Sequence, residues 1–126
     1  MSYYNPYKHK TTDKLVRDRI PEIIKKDGKV AVIKVVKNDE EYYKRLLEKL
    51  QEEINEFIET PNIEEAADIL EVFNALIEFK NINIDNVINE RIKKFLLKGG
   101  FEKRIVLREI KHLWKNMMYI GPFIML

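Results

Sequence analysis

Four acidic residues form two pairs whose spacing suits a metal site. Glu53 and Glu56 make up the first pair and Glu65 and Asp68 the second, and each pair has the i, i+3 spacing. Residues with that spacing lie on one face of an α-helix. Carboxylates that converge in a partly desolvated gap repel one another unless a cation neutralises them. The pattern predicts a site for a hard divalent cation bound by oxygen, Mg²⁺ foremost.

Two predicted helices carry these pairs. Apolar residues recur at three- and four-residue steps from Tyr43 to Ile58, which predicts a helix with one buried stripe. The segment from Ile63 to Phe79 predicts a second helix that is apolar almost all the way round. Residues 60–62 join the two, and this link is too short for anything but an antiparallel hairpin. The two acidic pairs are therefore expected to meet at the same level between the helices.

The acidic pair of the second helix lies away from its polar strip. That strip consists of Glu64, Glu71, Asn74 and Glu78. At about 100° per residue, Glu65 and Asp68 fall on the opposite side of the helix, beside Ile69 and Val72. Glu53 is likewise surrounded by apolar residues on the first helix. Acids on the sides where helices normally pack favour a functional site.

Each of these acids also has a purely structural explanation. Glu65 follows Asn62 by three residues and could close a capping box. Glu53 or Glu56 could pair with Lys49, or form a solvated flank of the helix. For any one residue alone the structural explanation is favoured. For the four together, matched in level and placed off the polar strip, the metal site is favoured.

The composition is that of one globular domain. Hydrophobic residues make up 45% of the 126 residues and charged residues 35%, and the formal net charge is only +2. So small a charge gives no reason to expect nucleic acid as a partner. The chain has no cysteine, which excludes disulfides, zinc–thiolate sites and a cysteine nucleophile. It also has no leader and no 18-residue apolar run, which predicts a cytoplasmic protein without a membrane partner.

Two further helices are predicted outside the hairpin. A short one has Pro21 in its first turn, ends near Asp27 and stops at Gly28, which suits a left-handed helix end. Another covers about Asn86 to Leu97, with Asp85 as its cap. The run 38–41 is expected to cap the first helix of the hairpin.

Two β-branched or apolar runs predict short strands. They cover residues 30–36 and 101–107, and each is the obvious partner of the other. Two strands alone are marginal, so they are expected to lie on the helices. The fold prediction is mainly α, a helical bundle built on an antiparallel hairpin with a small two-stranded β element. Residues 1–126 are expected to form a single domain, with a loose lead-in at 1–12 and an apolar tail at 109–126.

Basic residues in two places could contact phosphate. Arg17 lies in a turn, where it either pairs with Asp18 or Glu22 or forks onto phosphate oxygens, and the residues alone favour neither. Lys94 and Lys98 lie near the end of the third long helix. One explanation is that these lysines interact favourably with the helix dipole and bind no ligand. The alternative is that they contact the phosphates held by the metal.

The acidic pairs belong to a longer stretch that resembles a known family. Glu53-Ile-Asn-Glu56 followed by Glu65-Ala-Ala-Asp68 is similar to the ExxE…ExxD signature of the MazG-like all-α nucleoside triphosphate pyrophosphohydrolases. The wider match resembles one small branch, the predicted house-cleaning pyrophosphatases for noncanonical nucleotides. It covers about residues 13 to 108 in order, on the segments 14–24, 46–57, 65–70 and 99–107.

The resemblance implies a reaction and a set of site residues. A nucleoside triphosphate is cleaved between its α and β phosphates into a nucleoside monophosphate and pyrophosphate, with Mg²⁺, or Mn²⁺ as a substitute. Glu53 or Glu56 would orient or deprotonate the attacking water. The implied metal ligands are Glu53, Glu56, Glu65 and Asp68. The implied substrate contacts are Arg17, Lys14, Lys94 and Lys98.

The apolar second helix also predicts a partner. It is apolar on too many sides for a lone hairpin, so a second copy is expected to complete the bundle, and the resemblance implies a homodimer or homotetramer. Tyr42, Tyr43 or Phe101 would stack on the base unless they belong to the core. Two alternatives remain: the same chemistry on phosphoribosyl-ATP in histidine biosynthesis, and a non-enzymatic helical interaction module.

Overall fold

The computed structural model describes residues 13–113, and helices dominate that range. The chain divides into two compact units, whose described parts are residues 13–91 and 92–113. The helices are α1 (Ile20–Lys26), α2 (Asp39–Glu59), α3 (Ile63–Phe79) and α4 (Ile84–Lys98). The predicted lead-in at 1–12 and residues 114–126 of the predicted tail lie outside the described residues. The single domain over 1–126 stays a prediction.

Helices α2 and α3 form the predicted hairpin in the first unit. The side chain of Asn38 accepts a hydrogen bond of 3.0 Å from the backbone N–H of Glu41, so Asn38 caps α2 as expected. Asn62 caps α3 in the same way, through a bond of 2.9 Å from the N–H of Glu65. The two helices pack against each other. The caps and the short link together fix the register of the hairpin.

A small apolar core joins the two helices of the hairpin. Leu46 of α2 is only 2% exposed and packs with the buried Val72 and Leu76 of α3. Leu15, which precedes α1, packs against this core. Partly buried residues around it are Tyr42, Tyr43, Leu50, Ala75 and Phe79. The hairpin therefore has a core of its own, and its burial is the main force that holds α2 against α3.

Two of the aromatic residues considered for base stacking lie at this core. The rings of Tyr43 and Phe79 stack with their centroids 5.8 Å apart, and Tyr42 meets Phe79 edge-on at 5.3 Å. Lys80 places its ammonium group 4.1 Å from the centre of the Tyr43 ring. Phe101 belongs to the second unit and is exposed. Tyr42 and Tyr43 therefore pack against Phe79, as the structural explanation of these rings requires.

The ends of the short helices follow from local sequence. Helix α1 has Pro21 in its first turn, and Gly28, at φ +76°, takes the left-handed conformation predicted for it. The predicted cap of α4 was wrong. The side chain of Asn83 accepts from the backbone N–H of Asp85 at 2.8 Å and of Asn86 at 3.3 Å, so Asn83 caps this helix. Asparagine and aspartate cap equally well, which left the sequence without a way to choose between them.

The predicted two-stranded β element is absent from residues 13–113. Residues 30–36 are irregular and largely exposed, with Val32 97% exposed. Residues 101–104 form a turn in which Arg104 donates its N–H to the carbonyl of Phe101. A β-branched run gains stability as a strand only when a neighbouring strand accepts its hydrogen bonds and packs on its side chains. Neither segment has such a neighbour among the described residues, and the strand prediction was wrong.

None of the helices formed by residues 13–113 combines the length and the apolar character that crossing a membrane requires.

Truncation of Leu46 tests the core of the hairpin. Leu46→Ala should lower the free energy of unfolding by about 3–5 kcal/mol, because it leaves a cavity where α2 meets α3. Urea unfolding followed by circular dichroism measures the change. The matched variant Ile58→Ala removes a side chain of the same helix that is 72% exposed, and it should cost less than about 1 kcal/mol. Equal costs for the two variants would contradict the assignment of this core.

Candidate metal centre

Three of the four predicted metal ligands converge between the helices of the hairpin. Glu53 of α2 and Glu65 and Asp68 of α3 each place one carboxylate oxygen within 4.8 Å of the other two. Glu53 is 2% exposed, and Glu65 and Asp68 are half-buried. The helical spacing and the short link therefore bring together three of the four acids that the sequence predicted to converge.

The fourth predicted ligand, Glu56, lies at the margin of this group. Its oxygens are not part of the three-carboxylate cluster. Three positions along α2 place it about 4.5 Å further along the helix axis and about 60° around it from Glu53. It lines an adjacent cleft of about 340 Å³ together with Lys14, Lys49 and Glu52. Glu56 is therefore a neighbour of the cluster.

Two oxygens of the cluster are buried and have no hydrogen-bond partner among residues 13–113. They are Oε2 of Glu53 and Oε2 of Glu65. The capping explanation of Glu65 accounts for its backbone, since its N–H binds Asn62, but it leaves this carboxylate oxygen unsatisfied. A buried polar atom without a donor costs about 1–3 kcal/mol, and a water molecule, an ion or a ligand can satisfy it.

Two cations partly neutralise the cluster. Lys49 lies with its Nζ 3.1 Å from Oε1 of Glu53, as the structural explanation of that acid required, and the Lys49 side chain is only 11% exposed. Arg17 lies with its Nη2 2.8 Å from Oδ1 of Asp68. Among the residues that the structure describes, three carboxylates thus face two cations, and one negative charge remains. The pairing of Glu53 with Lys49 does not satisfy its second oxygen.

Arg17 does not pair with the acids next to it in the sequence. Its partner is neither Asp18 nor Glu22. Glu22 pairs instead with Arg19, with the Nε of Arg19 3.3 Å from Oε2 of Glu22. Asp68 lies 51 positions away. The contact places a guanidinium group directly beside a predicted metal ligand.

Adjacent glutamates on α2 have opposite pKa shifts. Burial raises the pKa of Glu53, Lys49 opposes the shift, and the charges of Glu56 and Asp68 raise it further. Burial also raises the pKa of Glu52, but the ion pairs with Lys14 and Lys49 outweigh burial and hold that pKa below its usual value. Glu52 is therefore paired within the protein, whereas the negative charge of Glu53 is offset only in part.

The remaining predicted substrate contacts belong to two different units of the chain. Lys14 pairs with Glu52 beside the cluster and lines the same cleft as Glu56. Lys94 and Lys98 belong to the second unit, where both are exposed near the end of α4. Their contacts with phosphate stay predictions. Sequence reasoning considered Lys49 only as a structural partner, although its spacing of four from Glu53 was the available signal of its place at the site.

The cluster fits a hard divalent cation. All its donors are carboxylate oxygens, which suit Mg²⁺, Mn²⁺ and Ca²⁺ and do not favour soft metals. Metal–oxygen bonds of about 2.0–2.6 Å place opposed ligands about 4–5 Å apart, which is compatible with the spacing of these oxygens. The two unsatisfied oxygens of Glu53 and Glu65 are the atoms that an ion would satisfy.

Replacement of Glu65 tests the cation site through stability. In wild type, Mn²⁺ at 100 times its dissociation constant should stabilise the fold by about 2.7 kcal/mol, because the ion binds only the folded state. Glu65→Gln should abolish most of that gain. In EDTA the same variant should be more stable than wild type by about 1 kcal/mol, since it removes charge repulsion at a buried oxygen. Thermal unfolding with Mn²⁺, Mg²⁺ and EDTA measures both effects.

Glu64→Gln is the matched control for this experiment. Glu64 is the preceding residue on α3 and is exposed, so its replacement should leave the response to Mn²⁺ unchanged. An equal metal response in wild type and Glu65→Gln would exclude Glu65 as a ligand.

The pKa of Glu53 predicts how the metal-free protein responds to pH. The unfolded carboxyl has a pKa of 4.5, and burial raises it in the folded state. Glu53 therefore contributes its full stability below the unfolded value and loses it as the pH rises through the folded value. In EDTA, wild type should lose stability relative to Glu53→Gln as the pH rises above 4.5. Urea unfolding of the two proteins measures this difference, and a constant difference would contradict the shift.

Compared with known protein families, with curated proteins and with solved structures, the chain has no match. The resemblance to the MazG-like pyrophosphohydrolases stays a prediction that depends on the quoted segments. What is established at this site is a group of three acids that could hold a metal ion.

Proposed function

We propose that the protein is a Mg²⁺-dependent nucleoside triphosphate pyrophosphohydrolase of the house-cleaning kind, acting on noncanonical nucleotides. The observation that carries the proposal is the pair of buried, unsatisfied oxygens on Glu53 and Glu65, within reach of Asp68. Carboxylate clusters that hold Mg²⁺ beside basic residues are typical of enzymes that act on phosphate groups. The quoted resemblance supports the same reaction.

The carboxylates divide into ligands and a base. Glu53, Glu65 and Asp68 would hold the ion through their clustered oxygens. When bound, the ion supplies neutralisation of the triphosphate charge and activation of water. Glu56 lies in the cleft beside the cluster, where it can orient a water molecule or accept its proton, and Glu53 is the other candidate for this role.

The reaction needs no nucleophile from the protein. Water supplies the oxygen of the new bond to phosphorus, the bridging bond between the α and β phosphates breaks, and pyrophosphate leaves. The proton of the water passes to a carboxylate. Two basic residues, Arg17 and Lys14, lie next to the cluster and would attract the charged phosphates. A mechanism in which water is the nucleophile agrees with the absence of cysteine from the chain.

We also propose that the protein is a homo-oligomer. Helix α3 leaves large apolar side chains exposed on its outer side, among them Ile63, Leu70 and Phe73. A second copy of the hairpin would bury such side chains, as in other bundles built from two copies of one hairpin.

Pyrophosphate release tests the proposed activity. The protein with Mg²⁺ should release pyrophosphate from at least one member of a panel of standard and modified nucleoside triphosphates. Glu53→Gln and Asp68→Asn should each lower kcat by roughly 10²–10⁴-fold, because each removes a ligand or a base. The matched control Glu59→Gln changes an exposed acid of the same helix and should keep full activity.

The same panel separates the proposal from its alternatives. Phosphoribosyl-ATP is included as a substrate, and a clear preference for it would assign the chemistry to histidine biosynthesis. Absence of pyrophosphate release from every compound, with no stabilisation by Mg²⁺ or Mn²⁺, would favour a helical interaction module. Full activity of Glu53→Gln or Asp68→Asn would overturn the metal-centre mechanism.

A further inference from the structure

Residues 13–17, which we call the N-terminal strap, lie against both helices of the hairpin. Asp13 accepts two hydrogen bonds from Arg45 of α2, at 2.8 and 2.9 Å. Lys14 pairs with Glu52, one residue before the buried Glu53. Leu15 packs on the apolar core. The strap is thus fixed on α2, and its last residue, Arg17, reaches Asp68 on α3.

The two cations at the cluster differ in exposure. Lys49 is 11% exposed and lies between two glutamates of its own helix, so it cannot leave without burying unpaired acids. Arg17 is 54% exposed and holds Asp68 through a single contact. An exposed ion pair of this kind is weak, and the guanidinium can turn into solvent at little cost. Arg17 is therefore the cation that can be displaced.

The charge of the cluster indicates when displacement is favourable. With Lys49 in place, the three clustered carboxylates carry two net negative charges, which a divalent cation balances. Arg17 adds one positive charge beside Asp68. If Arg17 stayed there, a divalent cation bound at the cluster would meet a like charge a few ångströms away. The metal-free and metal-bound clusters thus favour different positions of Arg17.

We propose that Arg17 is a reversible latch on the metal site: it holds Asp68 in the metal-free protein, is displaced when a divalent cation binds, and then binds a phosphate group of a metal-chelated polyphosphate. The phosphate half of this inference rests on the proposed function. A free guanidinium presents a planar fork that matches phosphate oxygens. Metal and polyphosphate then each raise the affinity for the other, because they share the displacement of one side chain.

Binding measurements with Arg17→Gln test the latch. With Mn²⁺ alone, the variant should bind the ion roughly 2- to 5-fold more tightly than wild type, which is the range expected for loss of an exposed ion pair. With Mn²⁺ in excess, the variant should bind inorganic tripolyphosphate roughly 10-fold or more weakly, since a charge-assisted hydrogen bond is lost. Calorimetric titration measures both affinities. If Arg17 only held Asp68 in position, its replacement would not tighten Mn²⁺ binding while weakening tripolyphosphate binding.

Arg19→Gln is the matched control, because Arg19 lies in the same turn but pairs with Glu22 and does not reach the cluster. It should change neither affinity. A second variant, Arg17→Lys, keeps the charge without the fork, so its Mn²⁺ affinity should stay near that of wild type while tripolyphosphate binding still weakens. Thermal unfolding of each variant checks that it is folded.

The outcomes separate the latch from the proposed function. Weaker Mn²⁺ binding by Arg17→Gln would overturn the latch. So would an equal gain in Mn²⁺ affinity in Arg17→Gln and Arg19→Gln. A lack of Mn²⁺ binding by wild type would also overturn it. Nucleotide hydrolysis without these opposite changes would leave the proposed function standing alone. The opposite changes without any nucleotide hydrolysis would support the latch and reject the pyrophosphohydrolase.

Discussion

A carboxylate oxygen buried without a hydrogen-bond donor is the constraint on which this site depends. Glu52 and Glu53 are neighbours on one helix, yet Glu52 is satisfied by two lysines whereas Glu53 keeps one oxygen bare. Glu65 adds a second bare oxygen from the facing helix. Residues 13–113 do not supply the missing donors, and a cation could satisfy both oxygens and offset their charge. The candidate metal centre, the proposed hydrolysis and the proposed role of Arg17 all depend on these unsatisfied oxygens.

The hairpin tolerates the two unsatisfied carboxylate oxygens because its helix caps and its apolar core stabilise it. Asparagine caps complete the starts of α2 and α3, and a core around Leu46 holds the helices together. Lys49 offsets part of the acidic charge from a fixed position, while Arg17 offsets another part from an exposed one. Acidic side chains at positions where helices pack reduce the stability of the fold. Such a loss of stability is common at functional sites. The two cations thus differ in exposure, and the proposed displacement of Arg17 rests on that difference.

Local signals were sufficient to predict most of the helical architecture. The bounds of α3 were predicted residue for residue, and the stop at Gly28 and the cap at Asn38 were also correct. Each depends on side chains and backbone within one turn of the chain. The strands at 30–36 and 101–107 failed because a strand needs a partner from elsewhere, which β propensity cannot guarantee. Where two capping residues lie close together, as near Asn83, the sequence offered no way to choose.

The candidate site shows the same division between local and long-range information. Helical spacing and a three-residue link determined that acids from two helices face one another, since both are short-range geometry. Only the tertiary structure decided that Glu56 lies outside the cluster and that Arg17 binds Asp68, because these depend on exact helix rotation and on a contact across 51 positions. The sequence by itself thus determined that acids from α2 and α3 can meet. Packing decided which oxygens were left without a partner, because that depends on every neighbour of each buried atom.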